Sequence, residues 1–367
     1  MGKFAECFGE VPDPRGRNAQ HDFVEILFIA LLAQLCGAES CVDMADFADA
    51  KSDVLGEILD LKYGTPSHDT FSRVFRMLDP VSFEAGFRRF TATFARKLGA
   101  GSVVAIDGKA VRGAYEQGCK TSPLHLVNVW AAGTRMAIGQ ASAPGRGEVQ
   151  GVLDALALLD LSGCIVTADA LHCRADVARA IVDTGADYVL ALKANHPKLL
   201  ADAKVRLGAK RRSEAQTSTQ ISHGRLETRR AVVVRAGKLA VTQAFPQLAA
   251  IACVIACVTA ERTSPGQEAQ TSTRVFLLSK PVSATRLLKI VRQHWHIENR
   301  LHWVLDVTLG EDRARNRTDH GPENIAILRK IALNLLQSHP QKASIRRKIK
   351  RAGWENNFLL SLLANMR

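Results

Sequence analysis

The 367-residue sequence has no CxxC pair among its eight cysteines, which argues against a zinc ribbon and against a thioredoxin-type redox motif. Most of those cysteines sit in apolar runs such as Gly163-Cys164-Ile165-Val166, the pattern of buried, reduced thiols in a cytosolic protein. No apolar run is long enough for a bilayer. The longest, Phe23 to Cys36, is broken by Glu25 and Gln34 and predicts a buried helix, so no membrane partner is expected. The N-terminus carries Lys3, Glu6 and Glu10 without an apolar core, so no signal peptide is expected and the location implied is cytoplasmic. No internal repeat is evident, the HExxH pattern is absent, and no clear Ser/His/Asp or Cys/His set appears.

What is present is a basic chain with ample core. Hydrophobic residues make up 47%, and the formal net charge is +13. The excess is uneven: from Arg286 to the end there are 16 Lys and Arg against 7 Asp and Glu. A basic region of this kind suits a polyanion, nucleic acid being the common one, although a solvated surface has the same composition.

Residues 1–99 have helical spacing. Val24, Leu27, Phe28, Leu31, Leu32 and Leu35 repeat with that period. After the turn Tyr63-Gly64-Thr65-Pro66, Ser67 is a good N-cap for a helix that buries Phe71, Val74, Phe75 and Leu78. Its other face carries Arg73 and Arg76. Such a helix–turn–helix could enter a major groove or be an ordinary helical hairpin. From residue 100 the pattern changes to apolar strands at Val103–Ile106, Leu126–Trp130, Ala137–Ala141, Cys164–Thr167 and Tyr188–Leu192, with helices over Val152–Leu159 and near Ala175–Asp183. That order is the order of a ribonuclease-H-like core. Residues 200–283 predict a β-rich insertion, with a loop through Lys210-Arg211-Arg212. Residues 284–335 are helical again from a cap at Ser283, and 336–367 form a basic helical tail.

Asp107 and Asp169 each close an apolar strand, where open α/β sheets place their ligands. Two such carboxylates on neighbouring strands can share Mg²⁺, an oxygen-seeking ion; a helix N-cap is the competing use of an Asp at such a junction. A third group should come from a helix against the sheet. In Arg292-Gln293-His294-Trp295-His296-Ile297-Glu298-Asn299-Arg300-Leu301-His302-Trp303, the residues His294, Glu298 and His302 are four apart and share one helical face. Trp295, Leu301 and Leu305 are expected to pack on the core.

Here the residues resemble a known family. Val11-Pro12-Asp13-Pro14-Arg15, Pro66-Ser67-His68-Asp69-Thr70-Phe71, Ala105-Ile106-Asp107-Gly108-Lys109, the Gly185–Lys193 stretch, His223-Gly224-Arg225-Leu226-Glu227 and His294-Trp295-His296-Ile297-Glu298-Asn299 occur in order along nearly the whole chain. Together they resemble bacterial insertion-sequence transposases of the DDE class, the H-repeat-associated subgroup. The resemblance implies that Asp107, Asp169 and Glu298 are the catalytic acidic triad, spaced 62 and 129 residues apart. It implies Mg²⁺ or Mn²⁺, two ions about 3.5–4 Å apart, clamping the attacking and leaving oxygens of a phosphodiester. The Tyr, Arg and Lys of a wider transposase signature are missing at Val291, His294 and Leu305. The sequence after Ala170 is also less typical.

The implied partners are double-stranded DNA, both terminal inverted repeats and target, with a homodimer in the DNA complex, in a bacterial, nucleoid-associated setting. Lys109, Arg292, His294 and Arg300 are candidates to grip phosphates near the triad. Arg225, Arg229 and Arg230 on the insertion, Arg313, Arg315 and Arg317, and Arg346-Arg347-Lys348 in the tail are candidates farther away. Arg73 and Arg76 are candidates for end recognition. Two alternatives share these features: a ribonuclease-H-like nuclease that cuts without joining, and a DNA-binding relative without catalysis. A glycosidase using paired carboxylates fits the basic charge poorly.

Overall fold

A computed structural model describes residues 1–94, 98–116, 119–143, 145, 147–208, 214–222, 225–237, 244–259 and 270–364. Among them the chain begins with six helices: α1 (Gly2–Phe8), α2 (Phe23–Leu35), α3 (Cys41–Ala50), α4 (Ser52–Gly56), α5 (His68–Met77) and α6 (Pro80–Phe94). Strands β1 (Val103–Glu116), β2 (Cys119–Ala131) and β3 (Met136–Ser142) follow. Then come α7 (Glu148–Ala157), β4 (Ile165–Ala168), α8 (Ala175–Asp183), β5 (Asp187–Leu192) and α9 (Pro197–Gly208). Four strands, β6 (Glu214–Ser222), β7 (Arg225–Arg235), β8 (Ala250–Thr259) and β9 (Gln270–Leu278), precede α10 (Ala284–His294). Two π-helical stretches, Ile297–His302 and Val304–Thr308, lead to α11 (Gly321–Ser338), α12 (Ile345–Trp354) and α13 (Asn356–Ala364). The described strands make a large mixed sheet in the order β3-β2-β1-β4-β5-β9-β8-β7-β6. No described helix is long and apolar enough to cross a membrane.

The chain divides into two compact units. The first comprises Met1–Lys97, Gly108–Gly151 and Glu298–Arg367. Its N-terminal helices pack through phenylalanines: the ring of Phe4 lies 4.4 Å from Phe8, 5.1 Å from Phe28 and 5.5 Å from Phe90. Helix α11 is buried on nearly every side and touches α2, α5, α6 and β3, as expected of a helix through the middle of a core. Two of its buried asparagines reach neighbouring backbone. Asn334 exchanges hydrogen bonds with the backbone of Ala137 on β3, and Asn324 donates to the carbonyls of Phe75 and Leu78. At α5 the Ser67 hydroxyl accepts from the Thr70 amide, and Phe71, Val74 and Phe75 are buried as the spacing predicts.

The second unit comprises Leu98–Asp107 and Val152–Ile297. Its sheet starts with three parallel strands. Val103–Ile106 of β1 pair with Ile165–Ala168 of β4, which pair with Asp187–Leu190 of β5. All four residues of β4 are buried, which is why the strand reads as an unbroken apolar run. Strand β9 then joins β5 antiparallel, with Leu190 opposite Leu277, and β8, β7 and β6 continue the ladder. The β-rich stretch thus extends the sheet directly. The first part of 200–283 is helical, because α9 runs to Gly208. Two other expectations change. Strand β1 does not stop at Asp107 but continues to Glu116, and α7 starts at Glu148 rather than Val152.

Candidate active site

In the second unit, the β1–β4 ladder ends with the pair Ile106 and Ala168. Asp107 is the next residue on β1, and Asp169 is the first residue after β4. Both are half-buried and follow the last paired residues of the ladder. The loop after β4 turns Asp169 inward: its Oδ1 accepts from the amides of Leu171 (2.9 Å) and His172 (3.4 Å). The same loop is fastened from the segment after β5. Asn195 donates to the Ala170 carbonyl (2.7 Å), and His196 Nε2 lies 2.6 Å from the Cys173 carbonyl. Burial beside Asp169 pushes the Cys173 thiol up to about 12, so it stays protonated and is no nucleophile at neutral pH. Helix α10, capped by Ser283, touches β4, where His294 Nδ1 lies 3.0 Å from the Thr167 hydroxyl.

In the first unit, Glu298 is the second residue of the π-helical stretch Ile297–His302. The expected α-helical face of His294, Glu298 and His302 is interrupted, since α10 ends at His294. π-Turns are rare and recur at functional sites. Glu298 is 52% exposed, with its Oε2 3.6 Å from Nδ1 of the buried His302. The other ring nitrogen of His302 lies 3.3 Å from Asn128 Nδ2 on β2. Leu301 and Leu305 are fully buried as expected, but Trp303 is 56% exposed and Trp295 37%. Trp295 stacks against the Arg274 guanidinium of its own unit at 4.4 Å instead of joining the core.

Lys109 is corrected by the structure. Its side chain is buried, with Nζ 2.6 Å from Asp306 and 2.8 Å from Glu311. Burial works against its charge, and Glu311 and Asp306 outweigh that and hold the ammonium above the ordinary lysine range. Glu311 is fully buried. Burial pushes its carboxyl up, but Lys330, Lys109 and Arg329 together bring it down to about 2. The charge of Lys109 is engaged by carboxylates inside the protein. Lys348 is corrected likewise: it is buried and donates to the carbonyls of Leu336 (2.6 Å) in the last turn of α11 and His339 (3.0 Å) just after it.

The other basic candidates are more open. Arg292, Arg346 and Arg347 are exposed, the last two on the outer face of α12. Arg300 is half-buried, and burial together with Arg135 lowers its pKa. Arg73 lines a groove of about 460 Å³ with Arg15, Asn18, His21 and Thr70, while Arg76 is paired with Asp319 at 2.8 Å. Arg230 is exposed, Arg229 pairs with Glu227, and Arg313 pairs with Glu39. The Arg225 side chain and Lys210-Arg211-Arg212 lie outside the described residues. The sequence reading overlooked Asn128, Asp306 and Glu311. A lone Asn in the apolar run Leu126-Val127-Asn128-Val129-Trp130 was the available signal, since a polar residue inside a buried strand needs a partner.

The chain has clear similarity to known proteins. The family described as "Transposase DDE domain" matches residues 99–335, and the family described as "DDE_Tnp_1-associated" matches residues 5–91. The H repeat-associated putative transposase YhhI of Escherichia coli K12 is 29% identical over 99% of this chain and 98% of its own length. The putative transposase YncI of Escherichia coli O157:H7 is 30% identical over 97% of this chain and 93% of its own. A cryo-EM structure of a piggyBac transposase synaptic complex with hairpin DNA covers 100% of this chain and 77% of that one, at 12% identity and a TM-score of 0.44.

Proposed function

The chain belongs to the DDE transposase family and is a DNA transposase; on that premise we propose that Asp107, Asp169 and Glu298 are its acidic triad, cutting phosphodiesters at insertion-sequence ends and joining them to target DNA. The observation that supports the reading is the pairing of Ile106 with Ala168, the residues just before Asp107 and Asp169. On this reading the strand order β3-β2-β1-β4-β5 is a ribonuclease-H-like core.

The family implies a divalent metal, and the donor set fits one. Carboxylates are hard oxygen donors that suit Mg²⁺ or Mn²⁺, and Asp107, Glu298 and His302 are of the types that could hold such an ion. When bound, two ions would polarise the scissile phosphate and lower the pKa of an attacking water or 3′-hydroxyl. The protein's part is placement. Asp107 and Asp169 directly follow paired strand residues, and Asp169 keeps one oxygen on its own loop amides. His302, held by Asn128, orients Glu298. No protein nucleophile is required, because water and the freed DNA hydroxyl are the attacking groups.

Arg292, His294 and Arg300, close in sequence to Glu298, are the proposed phosphate contacts near the reaction. The exposed Arg346 and Arg347 extend that contact. Arg73 and its groove are proposed to meet the terminal inverted repeat. Joining two ends calls for two active sites, so a homodimer on DNA is proposed.

The test is Asp169→Asn. Cleavage of end DNA should fall roughly a hundred- to a thousandfold, on the order of what removing a charge-stabilising catalytic group costs, while DNA binding stays within about twofold. Undiminished cleavage would remove Asp169 from the site. Strand transfer with pre-nicked ends separates a transposase from a plain nuclease: hydrolysis with no joined product would favour the nuclease.

A further inference from the structure

We propose that Lys109 and Asp306 are positioning residues. Their ion pair, buried on the lysine side, fastens the π-helical segment carrying Glu298 to strand β1 and thereby sets where the Glu298 carboxylate is presented. The inference rests on the reading of Glu298 as a metal-holding carboxylate.

The first support is spacing. Glu298, His302 and Asp306 recur every four residues, so they follow one face of the segment. The second and third of these each meet one side chain of the sheet: His302 meets Asn128 of β2 at 3.3 Å, and Asp306 meets Lys109 of β1 at 2.6 Å. Glu298 is the remaining member and is 52% exposed. Lys109 stands two residues beyond Asp107 on β1, hence on the same face of the strand. The anchor of the Glu298 segment is thus built into the strand that carries Asp107.

The second support is what the anchor is made of. Lys109, Glu311, Arg329 and Lys330 are all under 9% exposed, and Glu311 and Lys330 are at 0%. Removing charges from water is costly, and replacing a buried ion pair by apolar residues of similar size is often neutral or stabilising. A buried network is therefore a poor device for holding a fold together. It is a good device for fixing a register, because a shift of the segment would part the buried Lys109 ammonium from Asp306 and leave Glu311 as its nearest carboxylate.

The third support is the local backbone. Two successive π-helical stretches, Ile297–His302 and Val304–Thr308, follow Trp295, and π-turns normally occur singly within α-helices. A segment with such irregular internal bonding depends on outside contacts for its position. The fully buried Leu301 and Leu305 press it inward without specifying a register, and the directional contacts at His302 and Asp306 do.

The experiment uses full-length protein carrying Lys109→Met with Asp306→Leu. Urea stability, end-DNA binding, Mn²⁺ affinity of the DNA-free protein by calorimetry, and cleavage across a Mn²⁺ series are measured. The double variant should fold with a loss of stability, because the buried Glu311 loses Lys109, and should bind DNA equally. It should take up Mn²⁺ some 10–100-fold more weakly, the usual cost of losing an outer-shell partner, with cleavage partly recovered at high Mn²⁺. Parental Mn²⁺ affinity in the folded double variant overturns the proposal. If that variant does not fold, Lys109→Arg decides: it keeps the charge but imposes a longer, forked group. It should weaken Mn²⁺ binding in a folded protein, and unchanged affinity overturns the proposal. Glu298→Gln runs in parallel. If it leaves Mn²⁺ affinity unchanged, the metal reading of Glu298 fails and the proposal falls with it. If Glu298→Gln loses Mn²⁺ and the Lys109 variants do not, only the positioning role fails.

Discussion

The two aspartates and the glutamate are held by different physics. Asp107 and Asp169 sit where a parallel ladder ends, and their positions follow from main-chain hydrogen bonds between Val103–Ile106 and Ile165–Ala168. Glu298 sits on a π-helical stretch, and its position depends on side chains: His302 against Asn128 and Asp306 against Lys109. A ladder shares its load over many bonds and tolerates the loss of one side chain at a cost in stability. An anchor of two directional contacts concentrates its load, so losing one side chain should cost function before stability.

That contrast can be broken by mutation. The largest stability effect belongs on the ladder side. Leu190→Ala, in the fully buried centre of β5, should lower unfolding free energy by about 2–5 kcal/mol, read by urea titration. In the fraction that remains folded, metal affinity should be near the parent's. A large loss of metal affinity in folded protein would show that the ladder is no more robust than the anchor. On the other side, Asn128→Leu should cost less stability, about 1–3 kcal/mol for the hydrogen bond removed from His302. It should weaken Mn²⁺ binding roughly 10-fold or more, as outer-shell changes do. If its Mn²⁺ binding matches the parent's, His302 needs no orienting.

The smallest effect is a pH dependence. Glu311 is held at about 2, below an ordinary glutamate near 4.3 in the unfolded chain. The unfolded state therefore binds the proton first as pH falls. The stability that Glu311 contributes is complete above about pH 4.3 and is lost toward pH 2. The urea midpoint should drop across that window. The drop should be shallower in Glu311→Gln; an equal slope would place the acid sensitivity in other carboxylates.

Much of the ladder side could be read in the residues. Val103-Val104-Ala105-Ile106 and Cys164-Ile165-Val166-Thr167 are short apolar runs closed by an Asp, and strands buried on both faces require that composition. The caps at Ser67 and Ser283 were legible too, because a hydroxyl before an apolar-periodic run satisfies amides that the helix cannot. The anchor side was misread at specific residues. His294, Glu298 and His302 suggested an α-helix, and nothing local signals that the chain turns π-helical after Trp295. Lys109 and Lys348 looked like surface cations because charge is usually outside, and only the placement of Asp306, Glu311 and the end of α11 turns them inward.

The sequence by itself determined the helical start, the apolar strands of the core and the family motifs around the three proposed acids, since hydrophobic period and local motif are properties of neighbouring residues. Tertiary structure alone decided that the β-rich stretch extends the sheet from β5, that β1 runs past Asp107, and that a buried lysine two residues on meets an aspartate 197 positions away. Those outcomes depend on which desolvated groups find partners across long loops, and that pairing is settled only when the chain has closed.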